Sequence, residues 1–283
     1  MMDASDLAAL IRRRFREGDA RLPVLPEAVI EVRRIVGDER KGAADIARVI
    51  GGDPTLSSSV LRVANSARFR ASGAEIRSLP VAIQRLGGRR TLELLVAISS
   101  RLHMAVRERA LQAMIRECND YCLRVAIAAQ HLARLSRAAD PGEAFLAGLL
   151  FEIGVPAIIS AAEKELASCS EADRLGVLRA LHREMGGRLL TLWEMPDIFA
   201  AVATHHGIEA DDRPHEALID LVDAACLLLV SLGRPSPFDE PPETTSLANA
   251  ACARRLNITE THLAAVEVEL EDACGELGAA LGG

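Results

Sequence analysis

One feature constrains this chain more than any other. A helical apolar period recurs along its length, and proline, glycine and capping residues cut it at intervals. Leu7, Leu10, Ile11 and Phe15 share helical spacing among Arg12, Arg13, Arg14 and Arg16, which predicts a helix over residues 3–17. Leu22-Pro23-Val24-Leu25-Pro26 breaks it, and Pro26 opens a second helix that runs to about Gly37. A short helix over Ala43–Ile50 stops at Gly51-Gly52, and Asp53-Pro54, a capping acid before proline, starts the next. Ser78-Leu79-Pro80 opens another that ends at Gly87-Gly88, and an apolar helix follows from Arg90 to about Met104.

The second half begins with a long helix over about 108–137. Asp140-Pro141-Gly142-Glu143 then combines a capping acid, proline at the first helical position and glutamate at the third. The helix it opens is interrupted near Gly154-Val155-Pro156. Further helices are expected near 157–167, 172–192, 197–205, 214–232, 244–255 and 259–280, with Thr259 capping the last. Pro235-Ser236-Pro237-Phe238-Asp239-Glu240-Pro241-Pro242 reads as a linker. No period-2 alternation is long enough for a strand, so the predicted class is all-α.

With 49% hydrophobic residues, the 283-residue chain has material for a large core. Its longest apolar run, Ala224 to Val230, falls far short of the roughly 20 residues a spanning helix needs. Met1-Met2-Asp3-Ala4-Ser5-Asp6 carries acids where a secretory signal would be basic. These features predict a soluble cytoplasmic protein with no membrane partner. Six cysteines without a Cys-x-x-Cys pair read as reduced thiols. Cys118 and Cys122, four apart, could share a helix face as small core residues or, more weakly, as metal ligands.

Charge is unevenly spread. Residues 1–110 hold 20 Lys and Arg against 13 Asp and Glu, whereas residues 111–283 hold 13 against 27. This predicts two lobes with different surfaces, the first suited to an acidic partner. Aromatic residues make up only 3% of the chain, which argues against base stacking and hence against nucleic acid.

No Walker-type or dinucleotide glycine loop occurs, and no Gly-x-Ser-x-Gly elbow. Ser57, Ser58 and Ser59 lie within a helix with no base nearby in sequence. What remains is a dispersed set of imidazoles and carboxylates: Glu152, His182, His205, His206, Asp220 and Asp223. Adjacent His205 and His206 can turn toward a metal, or simply favour a helix C-terminus before Gly207.

Several motifs bear on that choice. Leu22-Pro23-Val24-Leu25-Pro26-Glu27, Ile50-Gly51-Gly52-Asp53-Pro54-Thr55-Leu56, Leu61-Arg62-Val63-Ala64-Asn65-Ser66-Ala67 and Ile76-Arg77-Ser78-Leu79-Pro80-Val81-Ala82-Ile83-Gln84-Arg85-Leu86-Gly87 follow one another. In that order they resemble the N-terminal lobe of the HDOD family, and the resemblance covers about residues 20–232. It implies a multi-helix fold in which an N-terminal lobe packs on a degenerate relative of the HD and HD-GYP metal phosphohydrolases. The superfamily's first histidine position matches Tyr121. Its His-Asp pair matches Phe151-Glu152, within Gly148-Leu149-Leu150-Phe151-Glu152-Ile153-Gly154. His182 stands at a third histidine, His205-His206 at the paired histidines and Asp223 at the late aspartate. Phenylalanine has no lone pair and neutral tyrosine is a poor ligand, so a working binuclear centre is not expected. Glu152, His182, His205, His206 and Asp223 are left as remnant candidates for one metal.

The resemblance therefore implies a non-catalytic regulatory protein in bacterial signal transduction, needing no cofactor or metal. It would act on protein partners in trans: a kinase, a response regulator or a cyclic-dinucleotide module. Arg62, Asn65, Arg68, Arg70, Arg77 and Arg85, with Arg89 and Arg90, form the candidate docking surface. A divergent phosphohydrolase of nucleotides or cyclic dinucleotides is the alternative, and a ligand sensor without turnover is a third reading. The expected organisation is an N-terminal lobe over 1–107, an HD-like lobe over 108–232, a linker over 233–243 and C-terminal helices over 244–283.

Overall fold

The computed structural model describes residues 4–18, 25–65, 75–102, 106–208, 213–239, 250–259 and 261–268, together with 270 and 274. Up to Arg255 they form fourteen helices, a further helical stretch follows, and no strand occurs among the described residues, so the fold is all-α. The chain divides into two compact units: Val24–His103 with Asp272–Gly283, and Met1–Pro23 with Met104–Glu271.

The first unit holds α2 (Glu27–Val36), α3 (Ala43–Ile50), α4 (Pro54–Asn65), α5 (Leu79–Leu86) and α6 (Gly88–Leu102). The start and stop signals work as expected. Asp53 Oδ1 accepts the N–H groups of Thr55 (2.8 Å) and Leu56 (3.1 Å) at the head of α4, and Gly87 ends α5 at a φ of 84°. Each helix buries one stripe, with Val32, Ile50, Leu56, Val60 and Leu95 fully enclosed. Asn65 pins the chain beyond α4: its amide donates to the carbonyls of Ile76 (2.7 Å) and Leu61 (3.0 Å) and accepts the Ile76 N–H (2.8 Å).

The second unit contains α1 (Ala4–Glu17), α7 (Arg109–Ser136), α8 (Pro141–Leu150), α9 (Gly154–Ala161), α10 (Glu163–Ala167), α11 (Glu171–Leu192), α12 (Asp197–His205), α13 (Glu216–Ser231) and α14 (Ala251–Arg255). Helix α7 lies along α8 and α13, and α11 lies along α9 and α12. The expected boundary at 107 is thus moved to 103, and α1 does not belong with the helices that follow it in sequence. The reason is physical. Leu7 and Ile11 are fully buried, Arg12 pairs with Glu184 on α11 (2.8 Å), and Arg14 grips Glu165 (2.7 Å) and the Ala161 carbonyl (2.6 Å).

Within Pro141–Ala161, which comprises α8, a turn and α9, an 18-residue window has a mean hydropathy of 2.0, but 94% of that window is buried inside the protein. It is core. The predicted linker is a folded segment through Asp239, with the Phe238 ring wholly enclosed, and residues 240–243 lie outside the described residues. The expected helix over 244–255 is described only at 250–255, where α14 packs on α13. Residues 261–268 are helical, and Thr259 Oγ1 accepts the His262 N–H at 3.4 Å. Val266 and Leu270 are buried there, while Val268 is exposed.

Candidate metal centre

The site grows from the segment Gly148 to Gly154, where two glycines let helices approach more closely than any side chain allows. A Cβ on Gly148 would lie 2.4 Å from Ala126 Cα on α7, and one on Gly154 would lie 1.9 Å from the His182 carbonyl oxygen on α11. Between these two contacts the chain turns over residues 151–153, and the Glu152 side chain is driven inside with no exposure. Helix α11 brings His182, the residue after α12 brings His206, and the folded segment after α13 brings Asp239. One donor atom from each of the four lies within 4.8 Å of all the others.

The imidazoles are held in one tautomer. His182 Nδ1 lies 3.0 Å from the carbonyls of Leu178 and Arg179, and His206 Nδ1 lies 3.1 Å from the Val202 carbonyl. Carbonyls only accept, so each Nδ1 carries the proton and each Nε2 presents a lone pair to the centre. His182 Nε2 stands 3.6 Å from Glu152 Oε2 and 3.5 Å from Asp239 Oδ1, while His206 Nε2 stands 3.8 Å from Glu152 Oε1 and 3.8 Å from Asp239 Oδ2. Both Glu152 oxygens and both Nε2 atoms are buried without a hydrogen bond. Four orphaned polar atoms around one point are too many for a packed core.

Electrostatics show the same tension. Burial, with Asp239 adding to it, pushes Glu152 well above the ordinary carboxylate range despite His182 nearby. Burial first, with the His182 and Arg183 charges adding to it, drives His206 down to about 3 against the pull of Asp239. For His182 burial also lowers the pKa, but Glu152 and Asp239 outweigh it and raise the group. Burial would raise Asp239, yet His182, His206 and Arg183 hold it below the usual range, and Arg183 Nη2 binds its Oδ1 at 2.5 Å.

Two neutral imidazoles and two carboxylates suit a divalent first-row transition ion, and the orphaned atoms are what such an ion would satisfy. An ion held there by these residues would supply Lewis acidity. Aromatic rings also line the centre. The Phe151 ring is fully buried, edge-on to His206 at 4.9 Å, and Tyr121 stands 6.1 Å from Phe151. On the His206 and Asp239 side the centre meets a cavity of about 190 Å³ whose walls include Tyr121, Arg183, Asp223, Cys226 and Arg255.

Glu152, His182 and His206 therefore converge, but His205 and Asp223 do not. Consecutive residues on a helix diverge, so His205 cannot face the centre that His206 faces, and its Nδ1 lies 2.9 Å from the Ala201 carbonyl. Asp223 is engaged elsewhere: Oδ1 accepts the Gly207 N–H at 2.8 Å and Oδ2 binds Arg213 at 2.9 Å. Asp220 receives Arg213 and Arg255. Asp239 was missed because its Pro-Ser-Pro surroundings read as a linker. The signal that could have found it is Phe238, a large apolar side chain with no reason to lie in a solvated tether. Cys118 and Cys122 are buried in α7 and stand outside the cluster of donors.

In the other unit, Arg62, Arg77, Arg85, Arg89 and Arg90 are exposed. Arg62 reaches Ser59 Oγ (3.2 Å), Arg77 pairs with Glu75 (3.0 Å) and Arg89 with Glu93 (3.2 Å). Asn65 is committed to the backbone contacts described above, and Arg68 and Arg70 lie outside the described residues.

The HDOD domain profile matches residues 22–208. A protein of Treponema pallidum (strain Nichols) with no assigned function is 26% identical over 255 residues, covering 84% of this chain and 47% of its own length. The chain thus spans about half of that curated relative. The solved structure of a Shewanella amazonensis SB2B protein, provisionally named a metal-dependent phosphohydrolase, superposes with a TM-score of 0.78 at 18% identity, over 99% of this chain and all of that one. An HDOD domain protein of unknown function from Geobacter sulfurreducens gives 0.66 at 20% identity, over 99% and 98%. A Marinobacter aquaeolei VT8 protein, provisionally named for signal transduction, gives 0.61 at 20% identity, over 99% and 65%. At these identities the likeness concerns the fold.

Proposed function

Because the chain belongs to the HDOD domain family, we propose that it is a regulatory protein of signal transduction that works by contact with a protein partner and not by turnover. The observation that carries this reading is the pair Phe151 and Tyr121. Both are buried, and they set carbon and a phenol where the resemblance to HD hydrolases calls for imidazoles. A phenol with its pKa pushed well above the ordinary value, by burial first and by Cys226 beside it, does not ionise to become a ligand. The name of the Marinobacter protein of like fold agrees with a signalling role.

The contact surface we assign is the exposed arginine set of the first unit, Arg62, Arg77 and Arg85, which suits an acidic face on a kinase, a response regulator or a cyclic-dinucleotide module. Asn65 supports this surface by fixing the chain between α4 and α5. Capture of candidate partners by the purified chain tests the proposal. Reversing the three arginines to glutamate should abolish capture with no change in helical content, and undiminished capture would remove this surface.

The second reading is a divergent metal-dependent phosphohydrolase, and the four converging donors favour it. Product release from a panel of nucleotides and cyclic dinucleotides, lost in His206→Ala, would establish it and overturn the non-catalytic reading.

A further inference from the structure

The segment after α13 is held as a strap. Ser236 Oγ accepts the N–H groups of Phe238 (3.1 Å) and Asp239 (3.3 Å), which curls the backbone. Phe238 is fully buried, and Arg179 on α11 reaches the Pro237 carbonyl at 3.3 Å. Arg183, one helical turn further on, grips Asp239. The helix that supplies His182 thus also supplies two arginines that seat the strap. The strap in turn supplies the one donor residue of the cluster that is not fully enclosed, with 21% of the Asp239 side chain exposed against 2% or less for the others.

Size decides what the cluster can hold. Nitrogen and oxygen ligands about 2.0–2.2 Å from a tetrahedral ion stand roughly 3.3–3.6 Å from one another. The four imidazole-to-carboxylate contacts run from 3.5 to 3.8 Å. Those contacts use both oxygens of each carboxylate, and with one donor atom per residue the four lie within 4.8 Å of one another, so the side chains draw in by about 1 Å at the widest pair to close a cage on one ion. Two ions would need more donors than these four residues offer. The two carboxylates balance a 2+ charge in a site that burial otherwise makes costly for anions. The two imidazoles select against magnesium and calcium, which prefer oxygen.

We propose that Glu152, His182, His206 and Asp239 form a mononuclear site for a divalent transition-metal ion, with Asp239 delivered by the 235–239 strap, so that binding of the ion locks the strap onto α11. The ligand set is not the one the sequence resemblance marked out, since His205 and Asp223 are absent from it and a residue from a presumed linker completes it. The proposal stands apart from the partner contact, which rests on the other unit.

The test uses the full chain stripped of metal by a chelator and titrated with Co²⁺ as a spectroscopic probe, then with Zn²⁺. We expect one equivalent of Co²⁺ with the intense visible absorption of a four-coordinate ion, displaced by Zn²⁺ and not by Mg²⁺. Exchange of the Ser236, Phe238 and Asp239 amides, the N–H groups of the strap, should slow on loading. Asp239→Asn, the most exposed of the ligands and the variant most certain to fold, should weaken Zn²⁺ binding roughly tenfold or more and abolish the slowing. His205→Ala should leave both unchanged. Absence of Co²⁺ uptake by the wild-type chain overturns the site. Equal Zn²⁺ affinity in Asp239→Asn, or an equal loss in His205→Ala, overturns the assignment of ligands. Exchange over 235–239 that does not respond to the ion overturns the lock. Partner capture, measured separately, can fail while all of these results hold.

Discussion

Gly154→Ala is the sharpest test of how the site is built. The added Cβ would fall 1.9 Å from the His182 carbonyl oxygen, 2.7 Å from its carbonyl carbon and 2.8 Å from the Gly186 N. All three are backbone atoms of α11, so no side chain can swing aside. Tolerable contact begins near 3.0 Å, and α9 must therefore back away from α11 by roughly 1 Å. A gap of that size forfeits a quarter to a half of each dispersion contact across the helix pair. Val155, Ile158 and Ile159 on α9 and Leu178, Leu181 and Met185 on α11 are all fully buried, or nearly so, and would be affected. Overpacking a close-packed core costs about 1–3 kcal/mol where side chains can adjust. With only backbone to move, we expect about 3 kcal/mol or more, a large share of the roughly 5–15 kcal/mol that stabilises a typical protein. Urea unfolding followed by circular dichroism reads the change as a shift in midpoint at constant slope. Metal uptake should fall as well, because Glu152 lies two residues before Gly154 and would be drawn away from His182 on α11. A loss below about 1 kcal/mol would show that the α9–α11 approach is not rigid, and the account of how Glu152 is positioned would fail with it.

Two further outcomes rest on individual contacts. Asp140 Oδ1 accepts the N–H groups of Gly142 (2.8 Å) and Glu143 (3.1 Å), so Asp140→Ala should cost about 1 kcal/mol in the same unfolding assay without altering metal uptake. Burial raises Asp223 from 3.8 to about 6, although the Gly207 N–H and Arg213 work against the shift. A carboxyl whose folded pKa lies above its unfolded value adds stability below pH 4, and that contribution is lost as pH rises through 6. The stability of the wild-type chain relative to Asp223→Asn should therefore increase as pH falls from above 6 to below 4. A difference that is flat over that window would refute the assignment.

Most of the helices were legible in the sequence because their ends are chemical. Asp53, Asp140 and Gly87 mark boundaries by hydrogen bonding or by backbone freedom, and those causes are local. What lay beyond the sequence was partnership. The period of α1 says that Leu7 and Ile11 face a core but not which one, and the answer comes from Glu165 and Glu184, 151 and 172 residues beyond their arginine partners. The choice between His205 and His206 could have been made. Phe199, Val202 and Ala203 are the buried stripe of α12, and His206 falls four residues after Val202 on the same face, whereas His205 does not.

Asp239 is the harder case, because composition pointed the wrong way for a physical reason. Proline and serine mark a chain that cannot continue a helix, and they say nothing about whether it floats or folds back. Two features separate those outcomes. A floating tether leaves Phe238 in water, while the observed chain buries the whole ring, worth roughly 1.5–3 kcal/mol in removal from solvent. A floating tether also leaves the half-buried Arg183 guanidinium without the Asp239 carboxylate that it grips in the folded segment. The apolar anchor supplies the energy that brings the strap down, and the acid beside it is thereby fixed at the mouth of a donor set that lacks one ligand. The segment that looked least structured in the sequence is the one whose position completes the site.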